Sequence, residues 1–284
     1  MVKFSRFVNG ELTIRLILDQ SVVDILSFMD ISIVSLSLLG PLLLGAVLGG
    51  IGGLLGIGGG IIAIPVLAMG FGMDQQMAQG TALVMITPNV LVAFWRYRQR
   101  HHLPLRTAGL LGLATLLATW PAARLAVLLD SHVLMLCFAV FLVGLSSYFL
   151  WGSRVSAKAA DGSWNERYLP GVGVVGGFFA GLFGVGSGIV AAPLLVRGFG
   201  KRQAVAQGLA LALVVPGALV ALATFAEARQ VDWQTGSLLA VGGMATVSWG
   251  VAWAHRLPER RLRQLFAVLL LFTAALMIRQ GIAS

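Results

Sequence analysis

Two glycine-rich runs, each followed by a proline, are the residues of this chain best suited to hold a ligand. Gly56, Gly58, Gly59 and Gly60 precede Pro65; Gly184, Gly186, Ser187 and Gly188 precede Pro193. Glycine takes backbone conformations closed to other residues, and proline removes a donor and does not sit quietly inside a helix. A helix that starts after such a run points its first N–H groups into the gap. That makes an anion site without any charged side chain. Neutral donors follow in sequence: Gln79, Thr81 and Asn89 after the first run, Gln207 after the second. Their amides and hydroxyl can donate to the oxygens of a small anion. Each also has a plainer reading. The glutamines suit helix starts or interhelical hydrogen bonds, Asn89 could satisfy carbonyls freed by Pro88, and glycine in an apolar helix permits close packing. Gly45, Gly49 and Gly53, spaced by four, fit that packing role.

The two runs belong to one unit written twice. Residues 53–94 and 181–222 align without a gap at an offset of 128, with 22 identities in 42 positions. The offset persists to the end, where Cys137–Val140 falls on Leu265–Val268. A duplicated apolar unit broken by Gly and Pro is the pattern of a secondary transporter with its site where the broken segments meet. Gln79 and Gln207 are then symmetry mates. So are Pro88 and Pro216, although Gly217 stands opposite Asn89.

Composition agrees with a membrane setting. Of 284 residues 58% are hydrophobic and 11% charged, against roughly 25% charged in soluble domains. Apolar segments run over about 33–71, 78–95, 107–129, 132–151, 171–199, 204–225, 235–254 and 264–280, and several are long enough to cross a bilayer. The sequence therefore predicts an all-α polytopic membrane protein of the cell (inner) membrane. Residues 1–32 form a tail or interfacial helix, 33–151 a first repeat, 152–170 a linker and 171–284 a second repeat. The net charge of +9 is no nucleic-acid footprint, because Lys and Arg sit at segment ends.

Topology follows from those charges. Eight crossings leave no bias of Lys and Arg between the two faces. If 33–71 and 171–199 are instead re-entrant hairpins, each half has three full crossings and the second half is inverted. Arg96, Arg98, Arg100, Arg106, Arg154, Lys158, Arg167, Arg197, Lys201, Arg202, Arg256, Arg260, Arg261 and Arg263 then share the inside face. Only Arg124, Arg229 and Arg279, with the basic residues of the tail, lie outside. The positive-inside rule favours this arrangement of two inverted repeats, each a broken hairpin plus three helices.

Absences narrow the function. No Asp or Glu lies inside a predicted span and His101, His102, His132 and His255 sit at joints, whereas proton relays and sodium sites usually need an intramembrane ionisable group. There is no HExxH, no Ser–His–Asp set and no paired carboxylates at depth, so neither catalysis nor a metal or cofactor is expected. The single cysteine, Cys137, reads as a buried small hydrophobe.

GLLGIGGGIIAIPVL, its echo GLFGVGSGIVAAPLLV, the AQGTAL/AQGLAL pair and QVDW at 230–233 resemble the TauE/SafE family of sulfite-exporter-like transporters, over about residues 38–280. The resemblance implies export or uptake of sulfite, sulfoacetate or other organosulfonates. Similar proteins often carry a Thr-Ser pair after each hairpin. Here the positions hold Thr81-Ala82 and Leu209-Ala210, and Ser187 stands where Gly59 does in the first copy, so the site would be asymmetric. The partners expected are a small anion and the lipid bilayer, with no nucleic acid; a homodimer is compatible with the pattern. The other readings of the sequence are an anion channel and a non-transporting membrane scaffold.

Overall fold

The computed structural model describes residues 38–54, 59–100, 104–152, 164–185, 187–201, 203–254 and 259–283. Gly56, Gly58, Gly186, the tail before residue 38 and most of the linker lie outside them. The chain divides into two compact units, Met1–Pro41 and Leu42–Ser284, and the helical bundle is the second. The described regular structure is helical. The helices are α1 (Leu38–Leu54), α2 (Gly60–Gly70), α3 (Gln75–Arg100), α4 (Leu105–Leu128) and α5 (Ser131–Gly152). After a short 3-10 turn at Glu166–Tyr168 come α6 (Leu169–Phe183), α7 (Gly188–Arg197), α8 (Gln203–Glu227), α9 (Trp233–Ala254) and α10 (Glu259–Ala283).

Four stretches within these helices are long and apolar enough to cross a membrane: Gln75–Trp95, Arg106–Leu128, Ser131–Leu150 and Val205–Glu227. Their outer faces are apolar as well. Leu117, Val140 and Leu219 are all exposed, which in water would be costly and in lipid is not. Cys137 corrects an expectation here. It is exposed on α5, on the same outer face as Val133, Leu136 and Val140. In a membrane helix the lipid-facing side is as apolar as the core, so an apolar run alone does not separate the two.

The helix starts repeat the offset of the sequence. α2, α3, α4 and α5 begin at residues 60, 75, 105 and 131, and α7, α8, α9 and α10 at 188, 203, 233 and 259. Packing repeats it in crossed form. Gly45, Gly49 and Gly53 of α1 lie on the backbone of Leu239, Gly243 and Val247 of α9. Gly173, Gly177 and Gly181 of α6 lie on Leu111, Thr115 and Thr119 of α4. Each contact of one seam becomes a contact of the other when 128 is added on one side and subtracted on the other. In both seams the paired numbers rise together, so the two helices run the same way.

The seams differ in chemistry. On α4, Thr115 Oγ1 donates to the Gly173 carbonyl (3.2 Å) and Thr119 Oγ1 to that of Gly177 (3.1 Å). On α9 the equivalent positions are Gly243 and Val247, and Thr246 Oγ1 donates to Ala46 O instead (2.5 Å). Apolar packing completes the frame. Phe141 of α5 stacks on Phe179 and Phe183 of α6 at 4.8 and 4.9 Å.

Candidate functional site

The two chain breaks approach each other inside the bundle. Gly59 caps α2 with φ 84°, the left-handed region that an L side chain adopts only with strain. Its carbonyl accepts from the N–H groups of Ile62 (3.2 Å) and Ala63 (3.1 Å). Gly184 ends α6 with φ 64°, and Ser187 caps α7. Neither cap provides a side-chain hydrogen bond to its helix. The Ile62 N–H is thus spent on the Gly59 carbonyl; the N–H groups ahead of it in α2, and those of the first turn of α7, have no acceptor within their own helix.

Contact between the two breaks runs through Gly184. A Cβ built on it would stand 3.3 Å from the Gln79 Cβ, and one built on Gly60 would stand 3.9 Å from the Gly184 carbonyl oxygen. The second break is set by its own helices in the same way. Ser187 packs on Gly176 of α6, and Gly188 faces Ala210 and Val214 of α8.

Polar satisfaction marks this place out. Gln79 and Ser187 are fully buried, and the Gln79 amide and the Ser187 Oγ have no hydrogen-bond partner. Each such group costs about 1–3 kcal/mol when left empty. Side chains whose role is to hold helices together do not stay unpaired, as Thr115 and Thr119 illustrate.

The other candidates fall into different positions. Thr81 is buried, and its Oγ1 accepts the Asp232 N–H at 3.0 Å, tying the turn before α9 to α3. Beside it the Gln230 carbonyl lies directly on Gly80, so QVDW is a docking turn rather than a free loop. Gln207 is half-buried, less enclosed than its mate Gln79. Asn89 is fully buried with its amide unpartnered, against Gly243 of α9. It lies ten residues, or about 15 Å along α3, from Gln79, and one turn from Met85 and Ile86, on which Gly59 and Gly60 of the first break lie. Gly56, Gly58 and Gly186 fall outside the described residues.

Charge stays at the margins. Arg124, at the end of α4, pairs with Glu227 at the end of α8, and both side chains are exposed. Its guanidinium also lies over the Trp120 ring.

One residue was missed from sequence. Gln75 is 3% exposed with both side-chain polar atoms unpartnered. The signal was present, since Gln75 and Gln203 are identical in the two copies and stand four residues before Gln79 and Gln207.

Comparison with known proteins places the sequence among membrane transporters. The family profile described as sulfite exporter TauE/SafE matches residues 41–277. A probable membrane transporter protein of Methanocaldococcus jannaschii is 31% identical over 166 residues, which cover 56% of this chain and 62% of that protein. One from Xylella fastidiosa, also named a probable membrane transporter protein, is 25% identical over 240 residues, covering 82% of this chain and 91% of that one. A third, from Bacillus subtilis, is 23% identical over 265 residues, covering 85% and 97%. No solved structure matches.

Proposed function

The chain belongs to the TauE/SafE family, and from that premise we propose that it is a secondary transporter of a small anion, with sulfite or an organosulfonate as cargo. The single observation that carries the reading is the approach of Gly60 to Gly184 beside Gln79, with Gln79 and, in the second break, Ser187 buried and unpartnered. α2 and α7 start at these breaks, and each helix N-terminus is worth about half a positive charge. Together they suit a monoanion and are poor for a trianion. Gly59, Gly60, Gly184 and Gly188 let the backbone approach the ligand, with Gly56, Gly58 and Gly186 as further members of the two runs. Gln79, Ser187, Thr81 and Gln207 supply neutral donors. Asn89 contributes from a separate level of α3.

Alternating access requires two halves that exchange roles, and the packing supports repeats (33–151 and 171–284) of opposite orientation. α3 runs the same way as α9, because Gly80, Thr81 and Asn89 meet Gln230, Gly236 and Gly243 in rising order. α3 has 26 residues, about 39 Å. The four residues between Arg100 and Leu105 reach only about 14 Å. Since α3 and α4 both lie along α8, α4 must turn back on α3. α4 and α9, the equivalent helices of the two halves, then point opposite ways. The inside face is the one carrying the joint at 200–203.

Flux in proteoliposomes tests the proposal. Sulfite uptake should saturate, show counterflow and need no sodium gradient. Conduction without counterflow would assign a channel, and absence of any anion movement would leave a scaffold. Sodium-dependent uptake of a neutral solute would contradict the anion site.

A further inference from the structure

The start of α3 holds a polar feature beyond the meeting point of the breaks. Gln75 opens the helix, is buried and leaves both amide atoms unpartnered. Gln79, one turn on, is in the same condition. Residues four apart share one helix face, about 6 Å apart at Cβ. Two buried amides therefore form a ladder from the start of α3 towards Gly184.

Other groups already do the structural work at this end. The Gln75 N–H donates to Ser131 Oγ at 3.0 Å. The neighbouring Gln76 Nε2 donates to the Leu129 carbonyl at 2.7 Å, and the Ala78 N–H donates to that of Asp74 at 2.8 Å. So α3 is capped and tied to the turn between α4 and α5 without the Gln75 side chain. An amide has two donor hydrogens and an acceptor oxygen; burying all of them empty is unfavourable unless a ligand fills them. The same residue pair opens α8 as Gln203 and Gln207. Two carboxylates adjoin this end, Asp74 next to Gln75 in sequence and Asp130 next to its partner Ser131. Asp74 is exposed and so screened by water, and Asp130 Oδ1 accepts from the His132 N–H that starts α5.

We propose that Gln75 forms an outer station for the transported anion, one turn from Gln79 and the site between the breaks. The anion passes through it between water and that site, on the face where α3 begins. The station rests on the reading that the cargo is a small oxyanion. Neutral donors suit a waypoint, because a stop in transit must bind well enough to admit the ion and weakly enough to release it.

Thiol chemistry tests the station independently of the cargo. In a Cys137→Ser background, Gln75→Cys is treated with anionic 2-sulfonatoethyl methanethiosulfonate or its cationic trimethylammonioethyl counterpart. Each rate is divided by that with a free thiol. The expected result is reaction from one face only, with the anionic reagent favoured about tenfold. No reaction with either reagent, or preference for the cation, overturns the proposal.

Gln75→Leu provides a second arm, since it keeps bulk and removes the amide. It should melt at the wild-type temperature or above while the KM for sulfite rises about tenfold. A lower melting temperature with an unchanged KM would make Gln75 structural and also overturn the proposal. Failure of the cargo reading is distinguishable. Wild type inert to sulfite with anion-selective labelling of Gln75→Cys keeps the station and removes sulfite; sulfite flux with an unreactive cysteine does the reverse.

Discussion

Gly184→Ala, read against Gly72→Ala, isolates the contact of the second break with Gln79. Both glycines have φ 64°, so both alanines bear the same left-handed cost, about 1–2 kcal/mol. Their surroundings differ. A Cβ on Gly72 meets nothing within 4 Å, whereas one on Gly184 meets the Gln79 Cβ at 3.3 Å. That is tight enough to push Gln79 by a few tenths of an ångström without breaking the fold. A hydrogen bond to a charged ligand contributes about 1.5–3 kcal/mol, and losing about 1 kcal/mol of it changes affinity about fivefold. Thermal unfolding in detergent should therefore show similar losses for the two variants. Sulfite uptake should show a KM raised about fivefold for Gly184→Ala and unchanged for Gly72→Ala. Equal KM values in the two variants, with both folded, would refute the placement of Gln79 at the substrate.

Three further outcomes follow from packing and charge. Gly80→Ala drives a Cβ into the Gln230 carbonyl and should cost about 3 kcal/mol, seen as loss of monodisperse protein on size exclusion; wild-type yield and melting would contradict it. Thr119→Val removes the bond to Gly177 O and should lower stability by about 0.6 kcal/mol in denaturant titration, with transport intact. In a Cys137→Ser background, Asp74→Cys and Lys201→Cys should label from opposite faces of the membrane, Lys201→Cys from the cytoplasm. Labelling from one face would restore eight parallel crossings.

Much of the helical layout was legible because apolar runs and their charged joints are local signals. The first crossing was expected from residue 78, yet α3 starts at 75, since the polar Gln75 and Gln76 hid the helix start. Gln79 and Ser187 were legible as candidates from the doubled motif; Gln79 lies beside Gly184 and Ser187 packs on Gly176 of α6. Gln75 was not singled out, although its repeat was visible, because a glutamine at a helix start looks like a cap; only burial without a partner separates the two cases. The cross-seams of Gly45 with Leu239 and Gly173 with Leu111 join residues far apart in sequence, which no local pattern reports. The same holds for QVDW, whose role against Gly80 and Thr81 depends on a helix about 150 residues earlier. Cys137 was misread because hydropathy does not distinguish a lipid-facing side from a core.

Direct binding is the most searching measurement. Titration of sulfite into purified protein without sodium, followed by calorimetry for wild type and Gln79→Leu, asks whether an anion sits between the two breaks. The expected result is saturable binding to wild type that is weakened at least tenfold in a Gln79→Leu variant of unchanged melting temperature. Undiminished binding in that variant, or binding only when sodium is present, would contradict an anion site built from helix ends and neutral donors.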